Sequence, residues 1–177
     1  KTAHELGLPI KTVYKASGEV QKEIVKTTAT GNYNLLLLGS AKSPFTEDKL
    51  GGKIRTLLEN TECDVGVFID NNFNNVKNVL IILNGKYDLF MRRYLSGFVK
   101  ETKVTILSNS YSEFKAESFF DENQHLEIRH VNEIKMLGLK NYDLLISSLY
   151  CWQDLDDEML EHIENEISVL IIKGKSE

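Results

Sequence analysis

An open α/β fold, with a parallel sheet layered between helices, is what this sequence predicts, on three observations. Short β-branched and leucine-rich runs alternate with amphipathic helical patterns along nearly the whole chain. Residues 35–38 and 79–83 are apolar without alternation, as strands covered on both faces are. And one passage occurs twice: Asn32-Tyr-Asn-Leu-Leu-Leu-Leu-Gly39 returns as Asn141-Tyr-Asp-Leu-Leu-Ile-Ser-Ser148, each copy followed by a polar loop, a helical pattern and a β-branched run. A repeat on that scale implies two related units. We place them at 1–70 and 71–177, the first an incomplete unit and the second a degenerate one.

Residues 9–15 alternate apolar and polar types and read as a strand. Ser17 is placed to cap a helix over 18–30, with Val20, Ile24 and Val25 on one face and Gly31 as its stop. Residues 34–38 are a central strand. Leu50, Ile54, Leu57 and Leu58 then recur at helical spacing, and 64–69 is a second buried strand. The asparagine-rich stretch 70–75 joins the units.

In the second unit, 76–83 is a strand and 87–100 a helix with a stripe of Met91, Leu95, Phe98 and Val99. Residues 103–107 form a strand, and 108–124 is polar and irregular with one weak helical turn around Phe119. Strands follow at 126–131, 143–147 and 168–172, with helices at 132–139 and 154–166. Aligning the repeats leaves the first unit without an opening β-α-β. Its sheet edge would then be bare, so we expect the second unit or another copy of the chain to cover it, and a homodimer follows.

Composition bounds the function. The chain of 177 residues is 42% hydrophobic and 27% charged, ordinary for a globular protein. A net charge of −5 argues against broad nucleic-acid binding, which needs a basic face. Cys63 and Cys151 lie far apart and make neither a disulfide framework nor a zinc motif, which points to a reducing compartment. The apolar runs are strand-length, too short to span a membrane. Because the chain opens at Lys1 on what reads as the tail of a helix, we expect it to be part of something longer.

Ligands of open α/β sheets bind beyond the carboxyl ends of the strands, which draws attention to residues 39–53. Gly39 allows a tight turn after the strand, and Ser40 follows it. Gly51 and Gly52 permit close approach at the start of the next helix. Lys42 and Lys53, with Lys49, add positive charge for an anion. Glu47 and Asp48 oppose one at the same helix start. The plainer reading, that the glycines serve turn and packing needs, stays open beside the binding one. The segment is not a Walker A loop: Ile54 follows the lysine where Ser or Thr is needed.

The stretch Leu35-Leu-Leu-Leu-Gly-Ser…Leu50-Gly-Gly-Lys-Ile-Arg…Cys63-Asp-Val-Gly-Val-Phe68 resembles the second half of a universal stress protein domain. Nucleotide-binding members of that family carry G-x2-G-x9-G-[S/T] after the fourth strand. Here Gly39 and Gly52 keep the frame, while Lys42 replaces the second glycine and Lys53 the Ser or Thr. Cys63-Asp64-Val65 is similar to the family's usual Cys-Pro-Val before the fifth strand, with Asp64 in place of Pro. Residues 79–85 resemble the family's first strand more faintly, with Asn84 where nucleotide binders have an aspartate.

The resemblance implies the three-layer α/β/α, adenine-nucleotide alpha-hydrolase-like arrangement. It implies a nucleotide site at Gly39, Ser40, Lys42, Gly51, Gly52 and Lys53, with ATP or another adenine nucleotide as the ligand class and no cofactor required. Degenerate tandem units of this kind are similar to the cytosolic C-terminal tails of bacterial cation/proton (Na+/H+) antiporters. That likeness implies a non-catalytic regulatory domain at the cytoplasmic face of the inner membrane, partnered by a transmembrane antiporter domain in the same polypeptide and not itself inserted. A free-standing ATP-binding stress protein and a nucleotide-using enzyme of related fold are the alternatives.

Other constellations are weaker. Glu158 and His162 share a helix face within a carboxylate run from Asp154 to Glu166, which reads as a solvated face rather than a metal site. Arg92 and Arg93 read as surface. His4, His125 and His130 have no nucleophile or carboxylate at catalytic spacing. Tyr150 and Trp152 read as loop residues that cap an interface, in preference to stacking on a purine.

Overall fold

The computed structural model describes residue 9 and residues 13–40, 52–83, 85–96, 101–108 and 125–175. Among the described residues seven strands form one sheet: β1 Leu35–Ser40, β2 Asp64–Ile69, β3 Asn78–Leu83, β4 Lys103–Ser108, β5 His125–His130, β6 Leu144–Ser148 and β7 Ser168–Lys173, in the order β1-β2-β7-β6-β3-β4-β5. All neighbours run parallel except β2 and β7, which are antiparallel with Val65 opposite Lys173 and Ile69 opposite Val169.

That one antiparallel pair joins the two copies of the repeat. β1 and β2 correspond to β6 and β7, and the equivalent strands β2 and β7 meet head to tail, as a local two-fold axis requires. The carboxyl ends of β1 and β2 therefore lie at one end of the sheet and those of β3 to β7 at the other.

Helices cover both faces. Alternate residues along the strands divide the core into two layers. Val67, Leu80, Leu145 and Val169 pack on one face, beneath α2 (Gly52–Asn60), α4 (Leu149–Gln153) and α5 (Asp157–Glu166). Val79, Ile81, Val104 and Ile146 pack on the other, beneath Met91 and Leu95 of the segment ending in α3 (Arg92–Leu95). The three-layer α/β/α architecture stands.

Several elements differ from expectation for local reasons. Residues 13–15 carry no strand: Lys15 instead reaches α1 (Val20–Thr30), its Nζ 2.7 Å from Glu23 and 2.8 Å from the Thr27 hydroxyl, and the rest of the expected strand lies almost wholly outside the described residues. Ser17 does not cap α1 itself, but its Oγ accepts from the Glu19 N–H at 3.0 Å, one residue before the helix. The helix expected at 87–100 is a 3-10 helix over Gly85–Met91 continuing into α3; Phe98 and Val99 lie outside the described residues, as does the turn expected at Phe119.

Likewise 132–139 forms two 3-10 turns, Val131–Met136 and Leu139–Asn141. Leu137 and Gly138 between them leave the helical region, with ψ of 135° and 87°. The first turn has a capping box: His130 Nδ1 accepts from Asn132 N–H at 3.2 Å, and Glu133 accepts from His130 N–H at 3.1 Å. His130 is thus a structural cap.

The join at 70–75 is packed rather than slack. Asp70 accepts from the Phe73 N–H at 2.9 Å, and Asn72 takes a left-handed φ of 60°, a conformation asparagine tolerates. Phe73 then meets Phe68 edge to face at 5.4 Å. No helix among the described residues is long and apolar enough to cross a membrane.

Candidate functional site at the carboxyl ends of the strands

In the second half the crevice of an open α/β sheet belongs between β3 and β6, where the connections leave the sheet in opposite directions. The described residues beside it come from α4 after β6 and from the 3-10 helix after β3. Directly after β6, Ser148 takes an extended conformation and caps α4, its Oγ accepting from the Cys151 N–H at 3.2 Å. The hydroxyl occupies the position from which those amides would meet an anion. Trp152 on the same helix is fully buried in the core below. It is therefore not an interface residue as expected; only Tyr150 of the pair is exposed. The period of a five-residue helix is too short to be legible beside a strand, which is why α4 reads as loop in the sequence.

Asp88 comes up against α4 from the 3-10 helix after β3. It is fully buried, and the Cys151 thiol donates to its Oδ2 at 3.5 Å. Burial, and secondarily the negative charge of Asp88, push the Cys151 thiol far above its ordinary value. Cys151 is therefore a weak hydrogen-bond donor at neutral pH, not a nucleophile. Cys63 is also buried and its thiol is raised by the same desolvation.

The space left at these strand ends is a cavity of about 210 Å³, bounded by Leu83, Asn132, Cys151, Asp154 and Asp156 among others. Sites for small organic ligands span roughly 300–1,000 Å³. The cavity is smaller than that, and among the described residues no lysine or arginine lines it. Asp156 is already engaged as the cap of α5, accepting from the Met159 N–H at 2.8 Å. Size and sign of charge both oppose a nucleotide here.

The residues singled out in the first half lie at the opposite end of the sheet. Gly39 and Ser40 close β1, and Gly52 and Lys53 open α2, so the backbone does bring these two pairs to the carboxyl end of β1. Lys42 and Gly51 lie outside the described residues. Among the described residues, a side chain at Gly39 would meet nothing within 4 Å.

Of the acidic run on α5, Glu158 pairs with Lys135 at 2.8 Å and Glu166 with Lys140 at 3.3 Å, and Glu161 and His162 are exposed. Among the described residues no group of three or more metal-ligating side chains forms. Glu164 is half-buried, and loss of hydration raises its carboxyl to about 7.

Sequence reasoning missed one cluster. Asp64, at the amino end of β2, is buried and accepts from the Tyr94 hydroxyl, from Arg93 Nη2 at 2.9 Å and from the Lys175 N–H at 2.8 Å. Because β2 is antiparallel to β7, this amino end lies beside the carboxyl ends of the second half. The signal was an aspartate where the resembling family has proline, next to a cysteine. No protein-family model matches the chain, and no curated protein is significantly similar to it.

Proposed function

We propose that this chain is a non-catalytic regulatory module of universal-stress-protein type, carried at the cytoplasmic face of a bacterial cation/proton antiporter in the same polypeptide. One observation carries the non-catalytic part: beside the crevice between β3 and β6, the start of α4 is capped by the module's own Ser148, and the described lining of the cavity there includes Asp154 and Asp156. A scaffold that keeps the sheet and lines its crevice with acids acts through its surfaces. Any nucleotide binding belongs to the first half, where backbone N–H groups between Gly39 and Lys53, with Lys42, would meet the phosphates. The transporter assignment rests on the tandem, degenerate repeat.

The decisive experiment has two arms. Calorimetric titration with ATP, ADP and AMP to millimolar concentration, alongside a hydrolysis assay, should give no turnover and at most weak binding that Lys53→Ala abolishes. Antiport in vesicles containing the natural polypeptide should change in rate or pH dependence when residues 1–177 are deleted, with ion selectivity kept. Nucleotide turnover above background, or antiport indifferent to the deletion, overturns the reading.

A further inference from the structure

The two outer strands of the sheet are unlike each other. β5 carries Glu127 and Arg129 among its six residues, the charged pattern of a strand that ends a sheet in water. β1 reads Leu35-Leu-Leu-Leu-Gly-Ser40, without a charge or a proline, the composition of a strand paired on both sides. Its repeat counterpart β6 is such a strand, with β7 on one side and β3, running parallel, on the other. β2 takes the place of β7 beside β1, and among the described residues no strand takes the place of β3. The second half, expected to cover this edge, attaches at β2 instead.

One face of β1 is bare as well. Leu36 and Leu38 pack into the core beneath α2, but Leu37, on the other face with Leu35, is 60% exposed. In the second half the equivalent face of the sheet is covered by the helical segment that follows β3. Along the edge runs a groove of about 470 Å³ between α1 and β1, lined by Val13, Val20, Ile24, Leu35 and Leu37 together with polar residues. Val13 and Val20 are each more than half exposed. The axis relating β2 to β7 carries β6 onto β1, and it carries β3 onto the edge of β1 that no described strand occupies.

We propose that the β1 edge and its groove seat a β-strand parallel to β1, followed by a helix over Leu35 and Leu37, from the same polypeptide. In the repeat β3 precedes β6, so the segment precedes Lys1. A second copy of the chain is a poorer occupant: a two-fold-related β1 would pair antiparallel, whereas the counterpart edge is taken in parallel. The inference rests on the repeat and the sheet, not on the transporter reading.

The test compares residues 1–177 with the natural polypeptide that includes what precedes them. In unmodified protein, amide exchange at Leu35–Gly39 should be fast in the isolated chain and slower by about a hundredfold or more in the longer one. In Leu37→Cys, maleimide labelling should slow by at least about tenfold in the longer chain. The native Cys63 and Cys151 are buried and stay silent. Equal exchange and labelling in both forms, or a natural polypeptide with no strand–helix segment ahead of Lys1, overturns the proposal. So does protection that appears in the isolated chain in step with a concentration-dependent dimer in sedimentation, which assigns the edge to a second copy. Failure of the antiporter assay leaves these outcomes unaffected.

Discussion

The Tyr94 hydroxyl donates to the carboxylate of Asp64, a buried aspartate at the mouth of β2, and so ties the helical segment of the second half to the first half. Arg93 and the Lys175 N–H complete the set of donors. Burial and the aspartate together hold the Tyr94 hydroxyl protonated well above its usual range. A charge is tolerated inside because three donors from two elements converge on it. Asp64→Ala should destabilise the chain by about 1–3 kcal/mol, since the Tyr94 hydroxyl and the Lys175 N–H lose their acceptor while the half-exposed Arg93 turns to water. Tyr94→Phe should cost about 1–2 kcal/mol. Urea unfolding of the single and double variants measures the coupling, and additive losses would mean the two groups act independently.

Trp152 should be the strongest single determinant of the core beneath α4. It is the chain's one tryptophan and is fully buried. Native fluorescence should therefore be blue-shifted and poorly quenched by iodide. Trp152→Ala should lose about 3–5 kcal/mol, through transfer and cavity terms together. A red-shifted, freely quenched native spectrum would contradict this placement.

Glu164 makes stability depend on pH in an unusual direction for a carboxylate. Its folded value of about 7 lies above the ordinary value of 4.5, so between those limits the native state holds a proton the unfolded state lacks. The contribution is fully present below the unfolded value and is lost as pH rises through the folded one. For a half-exposed group the size is on the order of 1 kcal/mol after solvent screening. Thermal midpoints should fall between pH 5 and 8 by more in the parent than in Glu164→Gln. Parallel profiles would remove Glu164 as the cause.

Both cysteines should resist alkylation in the native chain. Cys63 and Cys151 are buried, and desolvation raises both thiols. Iodoacetamide at pH 8 should modify neither within the time that labels both in urea, as mass spectrometry reads directly. Rapid native labelling of Cys151 would place it outside the contact with Asp88.

Much of the local structure was legible because it is periodic. Residues 79–83 are apolar at every position, which a strand buried on both faces demands, and the stripe Ile54, Leu57 and Leu58 is that of a helix covering one face. Residues 35–38 are equally apolar and form the expected strand, but β1 is the outermost described strand, not a central one, and Leu37 is 60% exposed. The elements that went unread are short or strained by their connections. α4 spans only Leu149–Gln153, and the 3-10 turns at Val131–Met136 and Leu139–Asn141 carry the same apolar residues an α-helix would. The candidate site was half-legible: Gly39 and Gly52 do fall at the carboxyl end of β1 and the start of α2, while Trp152 looked like a loop residue.

By itself the sequence determined the alternation of strand and helix, the repeat, and hence a layered α/β sheet, because these follow from hydrophobic period and are local. Only the tertiary structure decided how the copies meet. Pairing β2 with β7 antiparallel is a contact between segments about a hundred residues apart, and no period in either strand encodes its direction. That single pairing sets the first half's strand ends opposite the second's, brings Asp64 to Tyr94, and leaves β1 the outermost of the described strands, with Leu37 exposed.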